Sequence, residues 1–348
     1  MQIASMLSYV GGFENAVAEI QQLEQEGLDT VWVAEAYGFD APSLMGFIAA
    51  KTERVRIASG ILPIYTRTPT LLAMTAAGVD ALSDGRAMLG IGASGPQVIE
   101  GFHGVPYDAP LTRTREIIEI CRKVWRRERL EYDGRKYHMP LPAGEGTGLG
   151  KPLKLITHPV RDDIPIAVAA LTHKSVAQTA EIADGWLPVF FHPTKAMDRW
   201  GGALAEGRAK RDASRGPLEI FVGGAVAIGE GLEGLRDRGR PMMALYVGGM
   251  GARDKNFYND VFASYGYEKE AKEIQDLYLS GKKREAEAAI PADFIEQTTL
   301  VGSEGFVKDR LVQYKEAGVT SLNVSLAGET LDERVRTLGK LREIVAQI

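Results

Sequence analysis

The stretch Ala87-Met88-Leu89-Gly90-Ile91-Gly92-Ala93-Ser94-Gly95 decides how this chain is read. Its first half is a short, continuous apolar run, the pattern of a strand buried on both faces. Its second half matches GxGxxG, and an acid, Glu116, stands about 20 residues further on, as in a dinucleotide-binding turn. Such a turn needs its third glycine inside the next helix. Here Pro96, Gly101, Gly104, Pro106 and Pro110 follow, and they delay the next helix to about Leu111. A conventional NAD-type turn is therefore the weaker reading. A glycine-rich backbone that comes close to some other ligand is the stronger one, since glycine permits both close approach and positive φ.

Working outward, similar runs recur at Gln2–Ser8, Thr30–Glu35, Arg54–Gly60, Ile164–Ala170, Leu187–Phe191, Leu218–Ala225 and Ser321–Leu326. Between them lie helical stripes such as Phe13, Ala16, Val17, Ile20 and Leu23, or Val335, Leu338, Leu341, Ile344 and Ile348. Strand–helix alternation implies a parallel sheet with helical crossovers. Eight such strands without a linker predict one (β/α)8 TIM barrel over residues 1–348, with an open doubly wound sheet as the alternative. Two gaps break the rhythm. Arg127–Asp163 carries Gly134, Pro140, Pro142 and a glycine-rich patch, and predicts a small hairpin plus a loop. Gly229–Leu300 predicts helices near Arg253–Ser264, Glu268–Ser280 and Pro291–Gln297. Both are expected as insertions at the C-terminal face, where barrels build their sites.

Composition narrows the function classes. Of 348 residues, 45% are apolar and 25% charged, enough for a large core, and the net charge is −5. No basic run stands out, so nucleic acid is not an expected partner. The group Arg122, Lys123, Arg126, Arg127 and Arg129 falls at helical spacing and reads as a solvated helix face rather than an anion site. No segment is apolar for long enough to span a membrane, and no signal peptide is expected. The lone cysteine, Cys121, sits in an apolar helical pattern and fits a reducing, cytoplasmic setting. His103, His138, His158, His173 and His192 form no HxxxH pair, so no metal site is expected.

Three strand ends carry candidate chemistry. Ser59–Pro69, with Gly60, Pro63 and Pro69, forces an irregular loop after the third strand. Glu35 closes the second strand; a carboxylate there reads as binding or catalytic, or alternatively as a helix cap or salt bridge. Ala169-Ala170-Leu171-Thr172-His173-Lys174-Ser175 leads into a helix whose first N–H groups suit a phosphate, although Thr172 would equally serve as an N-cap.

Taken together, Glu26–Asp29, Val31–Gly38, Ser59–Pro69, Leu82-Ser83-Asp84-Gly85-Arg86, Leu89–Gly104 and Ala183-Asp184-Gly185-Trp186 resemble the luciferase-like monooxygenase superfamily, in particular its coenzyme F420-dependent oxidoreductases. The resemblance covers nearly the whole chain. It implies a barrel of the bacterial-luciferase type and a non-prolyl cis peptide at Gly60–Ile61 behind the cofactor ring. It further implies that Gly92, Ala93 and Ser94 line the cofactor site. The cofactor phosphate would lie at Ala169, Ala170, Leu171, Thr172 and Ser175, near Phe191, His192 and Lys195. Sugar-phosphate dehydrogenases of the family carry a histidine where Ala36 stands and a glutamate where Pro96 stands, so a glucose-6-phosphate substrate is not expected. Methylene-tetrahydromethanopterin reductases share the Gly-Ile pair.

The expected activity is thus hydride transfer between the deazaflavin C5 and a small unsaturated, carbonyl or alcohol substrate. Glu35 is the candidate nearest the head group, and His103 and Tyr65 are candidates for substrate contact or proton donation. The alternatives are an FMN-dependent monooxygenase using O2, a barrel that binds cofactor or ligand without turnover, and an NAD dehydrogenase. By resemblance, a homodimer is expected.

Overall fold

The computed structural model describes residues 1–7 and 12–348. Ser8 of the first expected strand lies outside the described residues. Eight parallel strands form the barrel wall: β1 (Gln2–Leu7), β2 (Thr30–Val33), β3 (Arg56–Ser59), β4 (Ala87–Gly92), β5 (Ile166–Ala169), β6 (Gly185–Leu187), β7 (Glu219–Val222) and β8 (Ser321–Leu326). β8 pairs with β1, Ser321 opposite Gln2, which closes the sheet and removes its edges. The open doubly wound alternative falls on that pairing.

Local sequence sets the helix starts. Asp40 caps Ala41–Ala49, Thr68 caps Pro69–Leu82, and Thr330 with Glu333 forms a capping box at Leu331–Val345. Their apolar faces and the outer faces of the strands form the main core. A second, smaller core fills the barrel itself: Ala4, Trp32, Ala58, Met88, Ala167, Leu187 and Phe221. Trp32 and Phe221, its two largest side chains, meet edge to face at 4.9 Å.

Four departures from the sequence reading have physical causes. The sixth strand is Gly185–Leu187, not Leu187–Phe191: Pro188 lacks the N–H that a ladder needs. A Cβ at Gly185 would come within 2.9 Å of Met88 and 3.0 Å of Phe221, so only glycine fits there. The run Leu218–Ala225 is broken at Gly223-Gly224 and resumes as Ala225–Ile228, which keeps pairing with β8 and takes Leu300–Gly302 on its other side. A helix does follow the glycine motif at once: Pro96–Gly101, with proline in its first turn, where no N–H is required. Arg122 is not a solvated helix residue: it is largely buried and pairs with Asp184 at 3.4 Å.

The insertions differ in placement. The second follows β7 and lies at the C-terminal face. The first runs from the end of helix Pro110–Trp125 to the start of β5, so it leaves and rejoins the barrel at the N-terminal face. Its antiparallel hairpin, Tyr132–Asp133 with His138–Met139, climbs back along that helix. The Glu116 carboxylate clamps it by accepting the N–H groups of Arg135, Lys136 and Tyr137 at 2.7, 3.0 and 3.0 Å. Glu116 is therefore a hairpin clamp and not a ribose ligand.

Candidate functional site

The C-terminal mouth of the barrel is built on a bulge. Ala58 of β3 lies opposite Met88 of β4, but Leu62 lies opposite Ile91, so one extra residue is inserted on the β3 side. The Ser59 hydroxyl fills the interrupted ladder. It donates to the Gly90 carbonyl and accepts from the Gly90 N–H, both at 2.8 Å. A Cβ on Gly90 would stand 1.7 Å from the Ser59 carbonyl oxygen. One on Gly92 would meet Ile61 at 3.1 Å and the Ala169 Cβ at 3.3 Å. Both glycines of the GxG element thus serve the crossing of two strands. The Gly60–Ile61 peptide bond is cis. Gly60, Ile61, Gly92 and Ala169 together form an apolar floor to the mouth, with Ile61 and Ala169 packed on the Trp32–Phe221 layer. Met6, 43% exposed, rises beside Gly60. The sequence reading passed over Met6, although alternation from the inward-facing Ala4 points to it. Ala93 and Ser94 continue β4 at the rim, Ser94 in the left-handed region at φ 58°.

Glu35 is engaged rather than free. Arg67, from the loop after the bulge, donates to its Oε1 and Oε2 at 2.5 and 2.8 Å, and the Ala41 N–H donates to Oε2 at 2.8 Å. The pair is 8% and 14% exposed. The structure thus realises the helix-cap and salt-bridge reading of Glu35. Arg67 was missed because a single arginine in an irregular loop carries no periodic signal.

The expected phosphate corner is a rigid helix start. Thr172 and Ser175 form a capping box at His173–Ile182, so their hydroxyls serve each other. The first N–H groups of that helix have no intrahelical acceptor and point outward. Two buried indoles orient the approach: Trp186 donates to the Ala170 carbonyl and Trp200 to the Leu171 carbonyl, each at 2.9 Å. Phe191 stacks on Trp200 at 6.1 Å. Lys195 is directed elsewhere. Its Nζ donates to the Tyr265 carbonyl at 2.6 Å and lies 5.1 Å over the Tyr267 ring, which ties it to the second insertion.

His192 is buried, and burial, with Lys195 and Arg310 nearby, pushes its imidazole down to about 4. The folded state therefore keeps it neutral, while the unfolded chain titrates near 6.5. The associated stability is complete above pH ~6.5 and is lost as the pH falls toward 4, where only the unfolded state takes the proton. Wild type should lose about 1–2 kcal/mol more than His192→Gln between pH 7 and 4.5 in urea unfolding. Parallel pH dependences for the two proteins would refute the assignment.

Tyr65 and His103 differ in availability. The Tyr65 hydroxyl donates to the Asp108 carbonyl at 2.9 Å, and burial raises its pKa, so it is a poor acid. His103 lies beyond the Pro96–Gly101 helix, and its Nε2 is buried with no hydrogen-bond partner among the described residues.

The family pattern of luciferase-like monooxygenases matches residues 1–321. A Mycobacterium tuberculosis protein named as a coenzyme F420-dependent oxidoreductase is 42% identical, over 98% of this chain and 99% of its own length. The solved coenzyme F420-dependent tetrahydromethanopterin reductase of Methanopyrus kandleri superposes with a TM-score of 0.82 at 20% identity, covering 99% of both chains. The FMN-bound oxygenating constituent of 3,6-diketocamphane monooxygenase from Pseudomonas putida gives a TM-score of 0.65 at 18% identity, over 100% of this chain and 98% of that one. At those identities the two solved structures speak for the fold alone. With its closed barrel, its bulged third strand and a sequence match over most of its length, the chain belongs to the luciferase-like monooxygenase family of oxidoreductases.

Proposed function

We propose that this oxidoreductase works with coenzyme F420 and reduces or oxidises a small unsaturated, carbonyl or alcohol substrate. The observation that carries this reading is the apolar floor of Gly60, Ile61, Gly92 and Ala169, with a helix start at Thr172–Ser175 beside it. A planar ring fits the first, and an anionic tail fits the second. When bound, the deazaflavin supplies a hydride at its C5. The protein's own residues set where that ring can lie. Ile61 and Ala169 support it from below and keep water out, while Met6 flanks it. Glu35, held by Arg67, fixes the rim at Ala41.

A flavin ring has the same outline, and an FMN-bound neighbour shares the barrel, so an FMN-dependent monooxygenase is the second reading. Parallel fluorescence titrations with F420 and FMN separate the two. Tight F420 binding with weak FMN binding is expected. Preference for FMN, with O2 uptake once the flavin is reduced, would overturn the F420 reading.

The same proposal includes a homodimer. Helices Ala41–Ala49 and Pro69–Leu82 pack side by side and leave Phe47, Leu71, Met74 and Leu82 exposed. Sedimentation should give twice the chain mass for wild type and a monomer for a Leu71→Glu, Met74→Glu double variant. A monomeric wild type rejects it.

A further inference from the structure

The layer that fills this barrel is apolar, yet two buried polar atoms on the inner wall have no partner among the described residues: Trp32 Nε1 and Asn323 Oδ1. Trp32 is sealed, with 0% of its surface exposed. Asn323 is only half-buried. It belongs to β8 and is the register partner of Ala4, whose methyl lies in the barrel core, so the Asn323 side chain points inward as well. In a ring of eight strands β8 stands across from β4. Asn323 therefore lies on the wall that faces the floor at Gly92.

The neighbours of Asn323 on that wall are small. Ala4 offers a methyl on one side. On the other side stands Gly223, where a Cβ would lie 2.1 Å from the Asn323 carbonyl oxygen, so that position stays bare. At the next inward positions above them, Met6 and Ser325 are exposed at the lip. The wall thus has a recess with a carboxamide in it. No side-chain hydrogen bond of Asn323 forms among the described residues: Oδ1 is covered, and Nδ2 is the end left open. An amide stripped of water on one side and given no partner weakens the fold. A leucine of similar size would serve the barrel better. A polar group that the fold does not use, placed at the mouth of a site, points to a ligand.

We propose that Asn323 contacts the substrate and sets its class: Nδ2 donates a hydrogen bond to a substrate oxygen, so the substrate is a carbonyl compound or its alcohol rather than an alkene without oxygen. This rests on the reading of the mouth as the substrate site.

The test uses the apoprotein with cyclohexanone and with methylenecyclohexane, which share one outline and differ by an oxygen in place of a methylene. The Asn323 side-chain amide is followed by nitrogen–proton NMR, its signal identified by its loss in Asn323→Leu. Cyclohexanone should shift that signal, and methylenecyclohexane should not. Asn323→Leu and Asn323→Ala should each weaken cyclohexanone about five- to tenfold and leave methylenecyclohexane bound no more weakly than in wild type. Stability gives a second readout. Asn323→Leu should keep or raise the urea midpoint, because it removes an unpaired polar group and fills the same space. An amide signal indifferent to cyclohexanone, or unchanged cyclohexanone affinity in both variants, overturns the proposal. A midpoint lowered in both variants also overturns it, since the amide would then be holding the fold. The cofactor titration is independent. Ketone recognition by Asn323 without F420 binding defeats the cofactor reading alone, whereas F420 binding with Asn323 indifferent to the ketone defeats the substrate contact alone.

Discussion

Gly90→Ala is expected to unfold most of this protein under conditions where the wild type is fully folded. The added methyl would stand 1.7 Å from the Ser59 carbonyl oxygen, and that oxygen is backbone, not the far end of a flexible side chain. Relief requires β3 and β4 to separate at the bulge. Separation breaks both Ser59–Gly90 hydrogen bonds and opens the buried Trp32–Phe221 layer beneath. The loss should be on the order of 4 kcal/mol, the upper end for a point change and a large share of a domain's 5–15 kcal/mol. Gly202→Ala is the matched control. It sits exposed inside helix Ala196–Lys210, where the nearest neighbour of an added Cβ is 3.9 Å away. That change should stabilise by about 0.5–1 kcal/mol. Urea midpoints give both values. A Gly90→Ala unfolding free energy within about 1 kcal/mol of wild type would mean that the strands do not cross as described.

Removing Arg67 should be nearly as damaging, and for a different reason. In Arg67→Met the Glu35 carboxylate, 8% exposed, keeps only the Ala41 N–H. Breaking a buried pair from one side costs about 3–5 kcal/mol, and the partial exposure of the rim brings the expectation to about 2–3. The double variant Glu35→Gln, Arg67→Met removes both charges and should recover more than half of that loss. The cycle also bears on chemistry. If Glu35 serves only as a latch, the double variant binds F420 like wild type. If it tunes the head group, the double variant regains stability and still loses cofactor affinity. A cycle with no recovery would show that the two side chains act independently.

These two sites also mark how far the sequence could be read. Alternation of short apolar runs with helical stripes gave the barrel and two strands, Ala87–Gly92 and Ser321–Leu326, to the residue. Gly60 and Gly92 were singled out because glycine patterns report a backbone need. What they needed, the Ser59 hydroxyl and the Ile61 side chain, came from contacts 31 residues apart in sequence, which no local pattern encodes. The same limit hid Arg67 behind Glu35. It also hid the indoles of Trp186 and Trp200 behind the loop whose carbonyls they hold. The misplaced sixth strand has the opposite origin: Leu187–Phe191 is apolar enough for a strand, but it packs as an aromatic corner against Trp200.

The second insertion begins and ends on neighbouring strands. Ile228 and Gly302 are register partners in the parallel pair on the shoulder of the barrel, so the two ends of the excursion lie about 4.8 Å apart. An excursion with adjoining ends behaves as a cassette. Its two junctions adjoin, and the β7–β8 seam that closes the wall runs beside them with its own hydrogen bonds. The fold thereby has two parts: a wall in which a Cβ on Gly90 would strike backbone, and an excursion joined to it at adjoining points and packed back onto it through Phe294 on Phe190 and His192.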